Sequence, residues 1–164
     1  AFTAAAVNTP PTVQDFNTVT DEDTALVGQL PGTDANGDIL TYHTVGKVPD
    51  GLTVNPDGTW SFDPTGLYDY LADGDKTSIT FQFQANDGQA DSNIATAVIE
   101  IDGLNDNASI AGAKTGDVTE DGTLSVTGKL TVSDLDHDEA HTQAANDVAA
   151  TYGKWSVDAD GNWA

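Results

Sequence analysis

In the stretch "SDLDHDEAH" (133–141), Asp134, Asp136 and Asp138 stand at every second position, while His137 and His141 stand four apart. Alternate carboxylates in a tight loop can turn inward on one hard cation, and Ca²⁺ takes about 6–8 oxygens. Paired imidazoles four apart suit zinc when a helix holds both rings on one face and a third ligand arrives. No helical apolar stripe surrounds 137–141, and the position of a metalloprotease base holds Asp138 where Glu is expected. Taken alone, the stretch still leaves both metals open.

A second copy narrows the choice. "TDEDTALVGQLPGTDANGD" (20–38) aligns with "TEDGTLSVTGKLTVSDLDHD" (119–138), matching Gly28 with Gly128, Leu30 with Leu130 and Asp34 with Asp134. Asn36 then matches Asp136, and Asp38 matches Asp138. Further on, "VNPDGTW" (54–60) matches "VDADGNW" (157–163), with a short insertion between the two blocks. The oxygen side chains recur and the histidines do not, so the shared feature is an oxygen cage, with His137 and His141 as bystanders. It is not an EF-hand, because counting from Asp34 the required Gly and Glu positions hold Ile39 and Val45.

The elements that must carry these loops are strands. "TVQDFNTV", "TALVGQL" and "ILTYHTV" are short β-prone runs broken by Pro, Gly and Asp. "LTV-NPDG-TWSF" reads as a hairpin turning at Pro56, Asp57 and Gly58. In "SITFQFQA", Ile79, Phe81, Phe83 and Ala85 point one way; in "NIATAVIEID", Ala95, Ala97, Ile99 and Ile101 do the same. "GLYDYL" (66–71) is expected to form one helical turn between strands. The expected fold class is all-β: an antiparallel β-sandwich with an Ig/cadherin-like layout, spanning 1–104 with an N-terminal linker. Residues 105–164 form a linker and the first half of a second unit, without equivalents of "SITFQFQA" and "NIATAVIEI". Half a sandwich leaves core and strand edges open, so the natural chain is expected to continue past Ala164. Trp60 and Trp163 occupy equivalent positions and are expected in the core or hairpin rather than on a sugar-stacking platform.

Composition limits the partners. The chain has 164 residues with 27 Asp+Glu against five Lys+Arg, a net charge of −22, and no cysteine. Such a charge repels phosphate backbones and anionic lipid, so neither nucleic acid nor membrane insertion is expected. Without cysteine there are no disulfides, thiolate sites or thiol catalysis. No nucleophile elbow or phosphate loop appears, and no carboxylate pair is set apart for acid–base work, so no enzymatic activity is expected.

The order of motifs carries a resemblance. "QANDGQADSNIATAVIEIDGLNDNAS" resembles the end of a cadherin repeat, and "TDEDTALVGQLPGTDANGDILTY" the opening of bacterial cadherin-like repeats. The segment 115–163 is similar to the VCBS-type repeat of very large RTX-class bacterial surface adhesins. The linker "DGLNDN" is one residue longer than the cadherin pattern. The resemblance implies calcium at the junctions of successive repeats. Its ligands would be Glu22 near the first strand, Asp102, Asn105, Asp106 and Asn107 in the linker, and Asp134, Asp136 and Asp138 beyond it. Asp34, Asn36, Asp38 and Asp87 would face the preceding linker, represented by Asn8. It further implies a calcium-binding extender repeat of a secreted, cell-surface adhesin, with adjacent repeats as partners and any cell-surface or glycan ligand gripped by other domains. The alternative is a carbohydrate- or ligand-binding module.

Overall fold

Short β-branched runs punctuated by Pro, Gly and Asp build an all-β chain of strands and turns. A computed structural model describes residues 7–164 and divides the chain into two compact units, Ala1–Leu104 and Asn105–Ala164. The first unit contains β1 (Thr12–Val13), β2 (Phe16–Asp21), β3 (Leu26–Gln29), β4 (Gly32–Thr33), β5 (Thr41–Val45), β6 (Leu52–Val54), β7 (Thr59–Phe62), β8 (Lys76–Asn86) and β9 (Ala95–Asp102). They form sheets of order β2-β9-β8-β5 and β3-β7-β6, with a small β1-β4 pair. The fold is an antiparallel β-sandwich of Ig/cadherin-like type, in which one pairing, β2 beside β9, is parallel.

The alternating strands supply the core. Phe81, Phe83, Ala85, Ala95, Ala97, Ile99 and Ile101 are buried, while Ile79 packs half-buried against them. They meet Leu30, Leu52, Trp60 and Phe62 from the other side of the sandwich. Phe16 bridges the layers, its ring centroid 5.7 Å from that of Trp60 and 6.0 Å from that of Phe83.

Two local expectations are corrected. "TVQDFNTV" is not one strand: it breaks at Gln14-Asp15, and its halves join different sheets as β1 and β2. Asp15 secures the break by accepting the Thr96 N–H at 2.7 Å, which starts the β2–β9 ladder. "GLYDYL" forms successive turns instead of a helical one. Gly66 there has φ +75°, its N–H is held by Asp69 Oδ1 at 2.9 Å, and Tyr68 lies against Phe62.

The second unit comprises β10 (Ser109–Gly112), β11 (Gly128–Ser133), β12 (Ala145–Ala150), β13 (Gly153–Val157) and β14 (Asn162–Trp163) in one sheet of order β10-β11-β14-β13-β12. Among the described residues no second sheet covers it. Ile110, Leu130, Trp155, Val157 and Trp163 line an open groove of about 410 Å³. No helix of the described residues is long and apolar enough to cross a membrane.

The repeat seen in the sequence has a physical basis in a Gly–Trp contact. Gly28 pairs with Trp60 across β3 and β7, and Gly128 pairs with Trp163 across β11 and β14. A Cβ on Gly28 would lie 2.7 Å from the Trp60 ring, so the indole lies flat on bare backbone. The same side of each hairpin is closed by Leu30 N–H to Gly58 O at 2.9 Å and Leu130 N–H to Gly161 O at 2.8 Å. Gly58 and Gly161 have φ of +84° and +83°, which a side chain tolerates poorly. Replacing Gly28 by Ala forces this contact to overpack. Thermal or denaturant unfolding is expected to show a loss of about 1–3 kcal/mol; an unchanged midpoint would mean the ring moves aside freely.

Candidate metal centre

The "DANGD" loop is folded by its own first carboxylate. Asp34 Oδ1 accepts the backbone N–H of Asn36 at 2.8 Å and of Asp38 at 3.0 Å, wrapping the loop around one oxygen. The segment leading into the first unit then docks on this loop. Thr9 N–H donates to Asn36 Oδ1 at 2.8 Å, and Asn36 Nδ2 returns a bond to Val7 O at 3.2 Å. Beside them Asn8 Nδ2 donates to Asp87 Oδ2 at 2.8 Å, while Asp87 Oδ1 takes the N–H groups of Gln89 and Ala90, each at 2.7 Å. Asn8, Asp34, Asn36 and Asp87 are thus brought together at one end of the sandwich.

Two oxygens in this group carry the chemistry. Asn8 Oδ1 and Asp34 Oδ2 are both shielded from solvent and have no hydrogen-bond partner within the protein. Buried polar atoms are normally satisfied, and an unpaired carboxylate oxygen is among the costliest exceptions. A hard cation satisfies such atoms without needing a proton donor. The donor set of Asn8, Asp34 and Asp87, all oxygen with two carboxylates, fits calcium and offers nothing soft for zinc.

The second unit repeats the arrangement. Asp136 N–H donates to Asp134 Oδ1 at 3.3 Å, as Asn36 N–H does to Asp34. A linker amide again docks: Asp106 N–H donates to Asp136 Oδ2 at 2.9 Å, where Thr9 N–H meets Asn36. Asp136 is 2% exposed, and its Oδ1 is buried with no hydrogen-bond partner. Asp106, Asp134 and Asp136 are therefore the residues of this unit that could hold a cation. His137 lies in a turn and His141 in irregular chain, and residues 134–144 hold no helix to stack the rings.

The other expected ligands divide between Glu22 and Asp102, at one end of the first unit, and residues that face solvent. Glu22 and Asp102 sit at the opposite end of β8 from Asp87, about 35 Å away by strand rise. Glu22 is 2% exposed; its Oε1 accepts Leu104 N–H at 2.9 Å, and its own N–H donates to Asp102 O at 3.0 Å. The Asp102 carboxylate instead meets Lys76 Nζ at 2.7 Å, a partner that also holds Glu100. Gly103, in the longer linker, lets the chain pack closely here: a Cβ would lie 2.4 Å from Ala72 O, and its N–H reaches Asp75 O at 2.9 Å. Asp38, Asn105, Asn107 and Asp138 are exposed. Sequence reading missed the backbone donors Thr9, Gln89 and Ala90, which no side-chain motif could announce.

Asp87 is held below the ordinary carboxylate range, first by the Asn8 amide and then by the Ala90 and Gln89 N–H groups. Its contribution to docking residues 8–11 is therefore complete above the unfolded value of about 3.9 and lost as pH falls through the lower folded value. An NMR titration of the Gln89 and Ala90 amide shifts is expected to show a midpoint below about 3.9. A midpoint at or above that value would mean these donors are not holding the charged carboxylate.

Comparison with known proteins agrees with the sandwich. The family model of the bacterial Ig domain matches residues 8–100. Human protocadherin-24 EC1-2 (form II) is similar in structure at 16% identity and a TM-score of 0.57, over 95% of this chain and 77% of that one. Protocadherin gamma B2 extracellular cadherin domains 3–6 give 13% identity and a TM-score of 0.54, over 94% of this chain and 38% of that one. A putative alpha-galactosidase from Bacteroides fragilis NCTC 9343 gives 15% identity and a TM-score of 0.42, over 61% of this chain; only 19% of its length is spanned. No curated protein matches the chain.

Proposed function

The chain belongs to the bacterial Ig domain family, and from that premise we propose that it is a calcium-binding extender module of a large secreted bacterial adhesin, of the VCBS-containing RTX class. Calcium would bind at the linker-bearing end of each unit and rigidify the linker that enters it. In the first unit Asn8, Asp34 and Asp87 would hold the ion; in the second Asp106, Asp134 and Asp136 would. The ion supplies a fixed positive charge among crowded carboxylates. The protein supplies loops already wrapped by backbone amides, so little ordering remains to be done on binding.

One observation carries the reading: each unit independently docks its linker amide on the middle residue of the acidic loop and leaves a buried carboxylate oxygen without a partner. The charge balance supports it, since five basic residues cannot neutralise 27 acidic ones. The absence of cysteine supports it too, because an extracellular module without disulfides gains from a bound ion as a staple. The adhesive ligand would be gripped by other parts of the polypeptide, with this segment acting as spacer. No catalytic role is assigned to it.

An ion at about a hundredfold its dissociation constant adds roughly 2.7 kcal/mol per site. For units of this size that corresponds to an upward melting shift on the order of 10 °C. Scanning calorimetry in calcium and in EGTA is expected to show that gap, with Asp34→Asn and Asp136→Asn each reducing it. Coincident melts in the two buffers would sink the calcium reading.

A further inference from the structure

The first acidic loop contains the chain's one Asn-Gly pair, Asn36-Gly37. In the second unit the matching pair is Asp136-His137, so the two cages differ in this amide. Asn36 is exposed, Gly37 has φ +80°, and a Cβ built on Gly37 would meet nothing within 4 Å. An asparagine followed by an unhindered glycine is prone to attack by the following backbone nitrogen. What restrains the Asn36 amide is the linker: Thr9 N–H holds Oδ1 and Val7 O holds Nδ2.

We propose that Asn36-Gly37 is a spontaneous deamidation site whose reaction is held back by docking of residues 7–9. When the linker lifts in local opening, the amide is freed to rotate onto the Gly37 nitrogen. That nitrogen attacks Asn36 Cγ, forming a new C–N bond and closing a five-membered succinimide. The Cγ–Nδ2 bond breaks, and ammonia leaves with the proton given up by the Gly37 amide. Water then opens the ring at either carbonyl, leaving aspartate or isoaspartate at position 36.

Both products remove the Nδ2 donor that faces Val7 O and place a carboxylate beside Asp34 and Asp38. The second unit already shows the aspartate arrangement: Asp136 Oδ2 takes the linker amide while Oδ1 lies buried without a partner. Deamidation to aspartate thus converts an amide latch into one that depends on a cation, whereas isoaspartate lengthens the loop by one main-chain carbon. This consequence rests on the calcium reading; the reaction itself does not.

The test follows the full chain in EGTA at mildly alkaline pH, with fragmentation mass spectrometry locating each deamidation over time. Position 36 is expected to convert before every other asparagine, several-fold more slowly in the native chain than in guanidinium, and faster in Asn8→Ala than in the wild type. Another asparagine converting first, or equal native and unfolded rates at position 36, overturns the proposal. These arms contain no calcium, so their outcome is separate from the melts above. Asn36→Asp is expected to widen the calcium-dependent melting gap of the wild type; an equal or smaller gap overturns the consequence for the cage.

Discussion

The constraint that shapes this protein is where its negative charge can go. With 27 acidic residues, five lysines and no arginine, ion pairs inside the chain cannot neutralise the carboxylates. Lys76 takes Glu100 and Asp102, and several other carboxylates are held by backbone N–H groups. Asp34, Asp87 and Asp158 each gather two amide donors in a turn or loop, and Asp57 takes the N–H and hydroxyl of Thr59. In Asp87 and Asp158 the second oxygen takes an asparagine side-chain amide, whereas in Asp34 it has no partner within the protein. Where that second oxygen is buried, as in Asp34 and Asp136, only a cation or a water can complete the arrangement.

The sandwich places those oxygens by ordinary packing. A glycine on one strand admits a tryptophan ring from the next, which fixes the hairpin and therefore the height of the acidic loop above the sheet. Because Gly28–Trp60 and Gly128–Trp163 do this in both units, each loop leaves its sheet at the same register relative to its tryptophan. The linker amide then finds the same acceptor position in both. In the first unit β8 and β9 cover the hairpin sheet with alternating apolar residues, while the second unit presents the corresponding groove open.

Much of this was legible in the sequence because it depends on period and spacing. The inward residues of β8 and β9 followed from alternation, and the hairpin followed from Asn55-Pro56-Asp57-Gly58. The equivalence of the acidic loops followed from the repeat. Tertiary partners were not legible. Gln14 and Asp15 look like strand residues, yet the Asp15 bond to Thr96 fixes a switch between sheets that depends on a residue far along the chain. Asp102 resembles a linker ligand by position but meets Lys76 across the β8–β9 pair. The donors that shape the cage, Thr9, Gln89 and Ala90, act through backbone and leave no trace in residue type.

In the proposed function each unit binds calcium where its linker amide meets the acidic loop. A calcium titration of the isotope-labelled chain, read from backbone amide NMR signals, tests it most directly. Saturable shifts are expected, centred on Thr9, Asn36 and Gln89 in the first unit and on Asp106 and Asp136 in the second. Absence of shifts at those amides, or shifts centred on His137 and His141 instead, would contradict it.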